Sequence, residues 1–477
     1  MNQSNFNVSS QTFVSVTDHL RRSANYKPNI WKHHFLQSLY SKYHKEEFVM
    51  VLNKLVMEVK SLFAQETSIL KQLELVDWIQ KLGLANYFQK EINGFLESIN
   101  LSEEQDLHVS ALCFRLLRNH GYAVLPDMLS KFLDKNGKVK RTISSHAGDV
   151  KHVVELLEAS HLGLEGEKIL DKAKICAINS LKDTFSVSSI KDQLSDTVDA
   201  ERVVHSLELS SHWRVQWFEV KWHVKQYSKE KNMNHVLLEL SKLNFNMIQA
   251  TLQLELKELS RWWENLGIKE ELSFARNRLV ESFMCAAGVA FEPKHKSIRK
   301  WLTKVIVFVL VIDDVYDIHA SFQELKPFTM AFERWDDTEV EELPTYMKTC
   351  VNALKDVTNE IAYEIGGENN FHLVLHYLKK AAERERGDAA SSIVCYMKEE
   401  GVSEEKARKH IEDKIIEAWK KINKCYGCCS SCWVEPFLTQ AINAARVGHT
   451  LYQNGDGFGI QDRDIKKHIL SLVVEPL

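Results

Sequence analysis

Glycine and proline are scarce in this sequence, with 18 and 7 among 477 residues. Both residues interrupt helices, glycine through its backbone freedom and proline through its missing N–H group. A chain of this length with so few of them is expected to be mostly helical. The length exceeds that of one ordinary domain, so two or three domains are expected.

An excess of positive charge is also absent, because the formal net charge is −4. We therefore expect no nucleic-acid partner and no general attraction to anionic membranes. No apolar run approaches the roughly 20 residues that span a bilayer. The first 20 residues lack the charged and apolar regions of a secretory signal, so a cytoplasmic protein is expected. The nine cysteines are then expected to be reduced thiols.

Apolar residues recur mainly at helical spacing. The segments 46–63 and 235–263 place them at positions i, i+3, i+4 and i+7. The run VIVFVLVI (305–312) is rich in β-branched residues, which alone favour a strand. Because helical patterns dominate elsewhere, we predict a helix that is buried on all sides at the centre of a second domain. A soft domain boundary is placed near residue 210.

Three acidic residues follow this apolar run directly, and we call Asp313, Asp314 and Asp317 the acid cluster. On an α-helix, Asp313 and Asp317 share one face, whereas Asp314 points about 100° away. Two stacked carboxylates repel each other and resist desolvation, and a divalent cation removes both problems. Mg²⁺ is typically held by one or two carboxylates together with substrate phosphates. The spacing suits a Mg²⁺–diphosphate site, and a solvated helix end is the alternative for a bare DDxxD pattern.

Two arginines lie about 35 residues upstream, and we call Arg276 and Arg278 the arginine pair. The guanidinium fork matches phosphate oxygens, so two of them can flank an anion. Surface salt bridges, with Glu281 as a candidate partner, are the alternative. Together, the acid cluster and the arginine pair are expected to bracket an apolar cavity.

Several segments carry a resemblance to a known family. Two arginines, eight residues and a tryptophan come first, in RRSANYKPNIW (21–31). SRWWENLGI (260–268) and VIDDVYD (311–317) follow, and ERGDAASSIVCYM and YQNGDGFG lie toward the C-terminus. The sequence resembles plant class I terpene synthases of the tandem-arginine subgroup over almost the whole chain.

The resemblance implies an all-α protein with two domains. After a disordered stretch (1–20), residues 21–210 would form an N-terminal α-barrel-like domain. Residues 211–477 would form the class I isoprenoid-synthase α-helical bundle that binds metal. A monomer is expected.

The resemblance also implies the chemistry of the acid cluster. Asp313 and Asp317 would ligate Mg²⁺, or Mn²⁺, with Asp314 in support. The substrate would be a prenyl diphosphate. Metal ions and the arginine pair would stabilise the departing diphosphate, and an apolar pocket would exclude water from the cation left behind.

Residues distant in sequence receive roles from the same resemblance. Arg21 and Arg22 would tether the N-terminal strand across the site as a lid, in a motif that ends at Trp31. Tyr452 and Asp456 would accept or relay the final proton. A plain turn is the alternative for their segment, since NGDG is a strong turn signal.

Two departures from the family pattern bear on the product. Many cyclising relatives carry tryptophan where this chain has Cys285, so one cation-stabilising ring is missing from the substrate pocket. This favours an acyclic sesquiterpene of the α-farnesene type, formed from farnesyl diphosphate by ionisation and deprotonation. Asn277 replaces the usual aspartate within the arginine pair, which is expected to loosen the orientation of the pair.

The second metal motif of the family, (N/D)Dxx(S/T)xxxE, is incomplete. Glu383 matches its final glutamate and would be a metal ligand, but Lys379 and Leu375 stand at the other two ligand positions. The spacing from the acid cluster is also short, so helices around residue 380 are expected to be missing. We therefore expect weak or no activity from this chain.

Three other interpretations stay open. A doubled CxxC could bind Zn²⁺ or act in redox chemistry, although adjacent pairs fit one zinc ion poorly; its cysteines are Cys425, Cys428, Cys429 and Cys432. Geranyl diphosphate is the rival substrate, with products of the ocimene or linalool type. A non-catalytic relic is the third interpretation.

Overall fold

The structure, a computed structural model, describes residues 28–99, 106–136, 138–140, 150–186, 198–334, 337–382, 392–428, 435–452 and 463–477. Secondary structure in these ranges is helical. The β pairing found there is an isolated antiparallel bridge between Leu133 and Val139. Within the described ranges, no helix is both long enough and apolar enough to cross a membrane.

The α-helices follow one another along the chain. In the described residues they are His33–Ser38, Glu46–Gln65, Ile69–Lys81, Gln89–Ser98, Leu107–Asn119, Asp127–Ser130, Val150–Ser160, Lys168–Ser186, Val198–Glu208, Gln216–Tyr227, His235–Asn265, Leu279–Val289, Lys296–Asp314, Phe322–Arg334, Asp337–Glu341, Thr345–Ala382, Ser392–Glu400, Glu404–Cys428, Glu435–Tyr452 and Arg463–Val473. A π-helical turn, Val315–His319, follows Lys296–Asp314 directly.

The helix Glu46–Gln65 shows why the periodic segments fold as predicted. It buries Leu52, Val56, Val59 and Phe63, which are three or four residues apart and therefore share one face. Its first turn is acidic, which favours a helix N-terminus. The second periodic segment is helical as well, within His235–Asn265.

Contacts divide the described residues into two compact units. One unit contains the described parts of 1–37, 257–283 and 300–389, and we call it the acid-cluster unit. The other contains those of 38–256, 284–299 and 390–477. The domain boundary near residue 210 remains a prediction.

The core of the acid-cluster unit lies between Lys296–Asp314 and Thr345–Ala382. Phe308 is fully buried there against Leu354, Val357 and Ile361. The apolar run 305–312 is therefore a helix, as predicted.

The prediction that this helix is buried on all sides is wrong. Val305 is 36% exposed, and Trp301, Val309 and Ile312 on the same face are only partly buried. Residues three to four apart share a helix face, so these side chains form one incompletely covered stripe.

The other unit is held by close helix packing and by backbone contacts near the C-terminus. A Cβ atom on Gly288 would lie 2.6 Å from Val447 Cγ2, so this helix–helix approach requires glycine. Gln249 and Gln253 donate side-chain hydrogen bonds to the carbonyl oxygens of Leu472 and Val473, at 2.9 and 2.7 Å. These contacts fix Arg463–Val473 along His235–Asn265.

Candidate active site

The middle carboxylate of the acid cluster is bound to the first arginine of the pair. Asp314 Oδ2 accepts hydrogen bonds from the backbone N–H of Arg276 at 2.7 Å and from its Nε at 3.1 Å. Its Oδ1 lies 2.9 Å from the same Nε. The Asp314 side chain is fully buried, and Arg276 is 11% exposed. Charge-assisted contacts of this kind orient a guanidinium strongly, so the acid cluster and the arginine pair meet in the structure.

The two outer carboxylates, on Asp313 and Asp317, are exposed to solvent. The α-helix ends at Asp314, and the π-helical turn that contains Asp317 is closed by Ala320 N–H bonding to the Val315 carbonyl oxygen at 3.0 Å. The α-helical geometry considered for Asp313 and Asp317 therefore ends at Asp314 and does not reach Asp317. A π turn holds one more residue than an α turn, which rotates the residues after it by about 100°.

The second arginine of the pair is also held inside the protein. Arg278 is 2% exposed, and its Nη1 donates to the Asn277 carbonyl oxygen at 3.3 Å. The side-chain oxygen of Asn277 accepts from the backbone N–H of Leu279 at 3.3 Å. This Asx turn starts the helix Leu279–Val289, so the residue expected to loosen the pair is itself engaged in backbone structure.

Trp31, the last residue of the tandem-arginine motif, is tied to the helix that follows the arginine pair. Its indole Nε1 donates to Glu281 Oε1 at 2.9 Å, and both side chains are buried. His33 Nδ1 lies 2.8 Å from Ser260 Oγ, and Gln37 Nε2 donates to the Lys257 carbonyl oxygen at 3.0 Å. Residues 31–37 are thus anchored by specific polar contacts.

An aromatic contact that no sequence motif predicts lies beside the acid cluster and the arginine pair. The rings of Phe274 and His319 are 3.8 Å apart with an interplanar angle of 1°. Phe274 precedes Arg276 by two residues, and His319 follows Asp317 by two. The sequence shows that an aromatic ring lies near each motif, but it does not indicate that these two rings contact each other.

Other predicted residues fall in the second unit or outside the described ranges. Cys285 is buried, and Tyr452 is 60% exposed at the end of Glu435–Tyr452; both belong to the second unit, and their roles remain predictions. The predicted residues that lie outside the described ranges are Arg21, Arg22, Glu383, Asp456, Cys429 and Cys432. Cys425 is exposed.

The acid cluster fits a hard divalent cation in part. Asp313 and Asp317 offer exposed oxygen donors, the ligand type that Mg²⁺ and Mn²⁺ prefer. Asp314 is committed to Arg276 and is closed to solvent. Within the described ranges, no group of three or more histidine, cysteine or acidic side chains is placed to hold a metal. Two protein carboxylates suit a cation that takes its other ligands from phosphates and water.

A cavity of about 770 Å³ lies in the second unit and is not lined by the acid cluster or the arginine pair. Its wall combines apolar surface with the charged side chains of Arg115, Arg118 and Arg446. Arg115 is bound there to Asp77 at 2.8 Å. Because none of its lining residues belongs to the acid cluster or the arginine pair, this cavity is not the one expected beside them.

Comparison with known proteins assigns the chain and its fold to a family. Residues 30–207 match the terpene synthase N-terminal domain, and residues 264–384 match the terpene synthase metal binding domain. Residues 378–421 match the C-terminal metal binding domain of terpene synthase family 2. The matched metal-binding domain contains both the acid cluster and the arginine pair, and it implies dependence on a divalent metal.

The curated relatives are more specific. The chain is 43% identical to an alpha-farnesene synthase of Ricinus communis over 552 aligned positions, which cover 96% of this chain and 95% of that protein. It is 44% identical to an (E,E)-alpha-farnesene synthase of Malus domestica, with 96% and 94% covered. The chain belongs to the terpene synthase family.

Solved structures agree with this assignment. A limonene synthase with 2-fluorolinalyl diphosphate aligns with a TM-score of 0.87 at 30% identity, covering 96% of this chain and 100% of that one. Isoprene synthase from Populus x canescens, in complex with three Mg²⁺ ions and dimethylallyl-S-thiolodiphosphate, aligns with a TM-score of 0.79 at 34% identity, covering 94% and 99%. The all-α terpene synthase fold predicted from the sequence is confirmed.

Proposed function

We propose that this chain carries the site of a Mg²⁺-dependent synthase that converts farnesyl diphosphate to an acyclic sesquiterpene. The observation that carries the proposal is the contact of Asp314 with Arg276, because it brings the acid cluster and the arginine pair to one place. The identities of 43% and 44% to two alpha-farnesene synthases support farnesyl diphosphate as the substrate and a farnesene-type olefin as the product.

Different residues of the site would bind the metal and the diphosphate. When bound, Mg²⁺ would supply positive charge that offsets the charge of the leaving diphosphate. Asp313 and Asp317 would hold it, and the arginine pair would donate hydrogen bonds to diphosphate oxygens. Asp314 fixes Arg276 in place, since both of its oxygens are already bound. Tyr452 is the proposed proton acceptor or relay, together with Asp456.

We further propose that helices around residue 380 have been lost, which leaves weak or no turnover. The alignment with the Ricinus communis protein has 552 positions, whereas 96% of 477 residues is about 458. About 94 aligned positions therefore lack a residue of this chain. The first metal-binding match ends at residue 384 and the next begins at residue 378, which supports the predicted place of the loss.

Exposed apolar side chains in the acid-cluster unit support the same proposal. Tyr363 and Ile365 on the helix Thr345–Ala382 are 59% and 50% exposed, and Val305 on the neighbouring helix is 36% exposed. Tyr363 and Ile365 are two residues apart and point to different faces of the helix, so each is a separate large apolar side chain left uncovered. The missing helices would cover these side chains and would bring the remaining metal ligands.

A paired assay tests both proposals. One protein is this chain; the other has the corresponding Ricinus communis residues inserted between Leu378 and Glu383. Each is given farnesyl or geranyl diphosphate with Mg²⁺, and products are identified by gas chromatography and mass spectrometry. We expect the extended protein to release an acyclic sesquiterpene and this chain to be at least about a hundredfold slower, a loss typical of removing transition-state stabilisation.

The assay separates the possible failures. Rapid olefin release by the unextended chain would contradict the proposal that the missing helices are required for turnover. Preference of the extended protein for geranyl diphosphate would contradict the proposed substrate. Turnover that survives D313A/D317A in the extended protein would overturn the metal site.

A further inference from the structure

Three aromatic rings join the three segments that build the candidate active site. Phe274 lies in the loop before the arginine pair, His319 ends the π-helical turn, and Tyr346 lies in the first turn of Thr345–Ala382. Tyr346 meets the other two rings edge-on, with centroids 5.7 Å from Phe274 and 4.9 Å from His319 and interplanar angles of 89°. Parallel and edge-on arrangements of this kind are favourable for aromatic rings.

The loop that carries Arg276 is thereby held at two points. Arg276 is bound to Asp314 at the end of the α-helix, and Phe274 is stacked on His319 at the end of the π turn. A single contact fixes a distance, but two contacts on either side of Ala275 also fix the rotation of the loop. The same loop is tied to Thr345–Ala382 through Thr349 Oγ1, which donates to Glu271 Oε2 at 2.7 Å.

The π turn orients the His319 ring toward Phe274. Its extra residue turns His319 by about 100° from the direction that a continued α-helix would give it. In the observed direction, the imidazole meets Phe274 face to face. Tyr316 supports the turn from another side, with its hydroxyl 2.8 Å from Thr329 Oγ1.

We propose that the stack of His319 on Phe274 is a positioning clamp that sets the arginine pair relative to the carboxylates of Asp313 and Asp317. The clamp acts on the site of the proposed function and so rests on it. His319 is a positioning residue: its ring acts through the loop, and a phenyl ring at this position would do the same. An aromatic pair of this kind changes an equilibrium constant by about two- to tenfold.

The test measures binding of inorganic diphosphate with Mn²⁺ by isothermal titration calorimetry on the full chain, without turnover. The variants are H319A, which removes the ring, and H319F, which keeps it. The chain offers a matched control, because His410 stacks on Tyr396 in the second unit with centroids 3.9 Å apart at 5°. H410A removes an equivalent stack outside the site. Thermal melting of each variant reports whether it is folded.

We expect H319A to weaken diphosphate binding about fivefold, H319F to bind within about twofold of the wild-type chain, and H410A to leave binding unchanged. Wild-type affinity in H319A, or equal weakening in H319F and H319A, overturns the clamp while the metal site stands. Weakening in H410A equal to that in H319A also overturns it, because the effect would then be general destabilisation. A wild-type chain that binds no diphosphate with Mn²⁺ overturns the proposed site and the clamp with it.

Discussion

Both carboxylate oxygens of Asp314 lie within 3.1 Å of Arg276 nitrogen atoms, and the Asp314 side chain has no contact with solvent. Removing one partner of a buried ion pair leaves the other charge poorly compensated. We expect D314N to lower the free energy of unfolding by about 3 kcal/mol, which urea denaturation would measure. E342Q, at an exposed carboxylate outside the cluster, is the control and should change stability by less than about 0.5 kcal/mol. Equal effects of the two substitutions would show that Asp314 does not anchor Arg276.

Ligand binding should raise thermal stability through the two exposed carboxylates of the acid cluster. A ligand at about 100 times its dissociation constant stabilises the folded state by about 2.7 kcal/mol. For a chain of this size, we expect Mg²⁺ with inorganic diphosphate to raise the melting temperature by about 5 °C. D313A/D317A should abolish the increase, measured against the melting temperature of the same variant without ligand. E342A, at an exposed carboxylate outside the cluster, should retain it, and a full increase in D313A/D317A would count against metal binding there.

The hydrogen bond from Trp31 to Glu281 should contribute measurably to stability. W31F keeps an aromatic ring but removes the indole N–H that donates to Glu281 Oε1 at 2.9 Å. Because the acceptor is a buried carboxylate, we expect a loss of about 1–3 kcal/mol in the free energy of unfolding. E281Q removes the buried charge that W31F leaves without the indole donor, so the double variant should regain part of the loss. A W31F protein within about 0.5 kcal/mol of wild type would show that the contact is incidental.

Buried histidines should make the protein acid-sensitive below about pH 6.5. Burial, reinforced by the nearby Arg446, lowers the pKa of His212 to about 3. The unfolded chain takes up this proton near pH 6.5 and the folded protein does not, so stability falls as pH decreases between those values. The maximal slope from one such group is about 1.4 kcal/mol per pH unit.

The substitution H212Q tests this pH dependence. Glutamine keeps a donor for Asn423 Oδ1, which lies 2.8 Å from His212 Nε2, but it does not titrate. Urea denaturation between pH 7.5 and pH 4.5 should give a shallower loss of stability for H212Q than for the wild-type chain. Parallel curves for the two proteins would mean that His212 is protonated in the folded state as readily as in the unfolded one.

The sequence predicts helices well where a single periodic face is buried, as in Glu46–Gln65. It predicts the helical state of residues 305–312 but not their burial, because the exposure of Val305 depends on which other segments cover it. The acid cluster is an intermediate case. The prediction that Asp314 points away from its neighbours agrees with its burial beside Arg276, whereas Asp313 and Asp317 are exposed.

The rest of the site depends on contacts that no local pattern encodes. Trp31 and Glu281 are separated by 250 positions, and Arg276 and Asp314 by 38. Residue types restrict such pairs to opposite charges or to donors and acceptors, but they do not choose among the many candidates. The π turn rests on backbone geometry between Val315 and Ala320, and its residues would also be compatible with an α-helix.

The extra residue of the π turn limits how the site can be transferred to another protein. Grafting the DDVYD pentapeptide onto an ideal α-helix would reproduce the sequence but not the geometry. A regular α-helix would point Asp317 and His319 in directions that differ from those of the π turn. A scaffold search for this arrangement should therefore match backbone torsions from Asp313 to Ala320 rather than the pentapeptide alone.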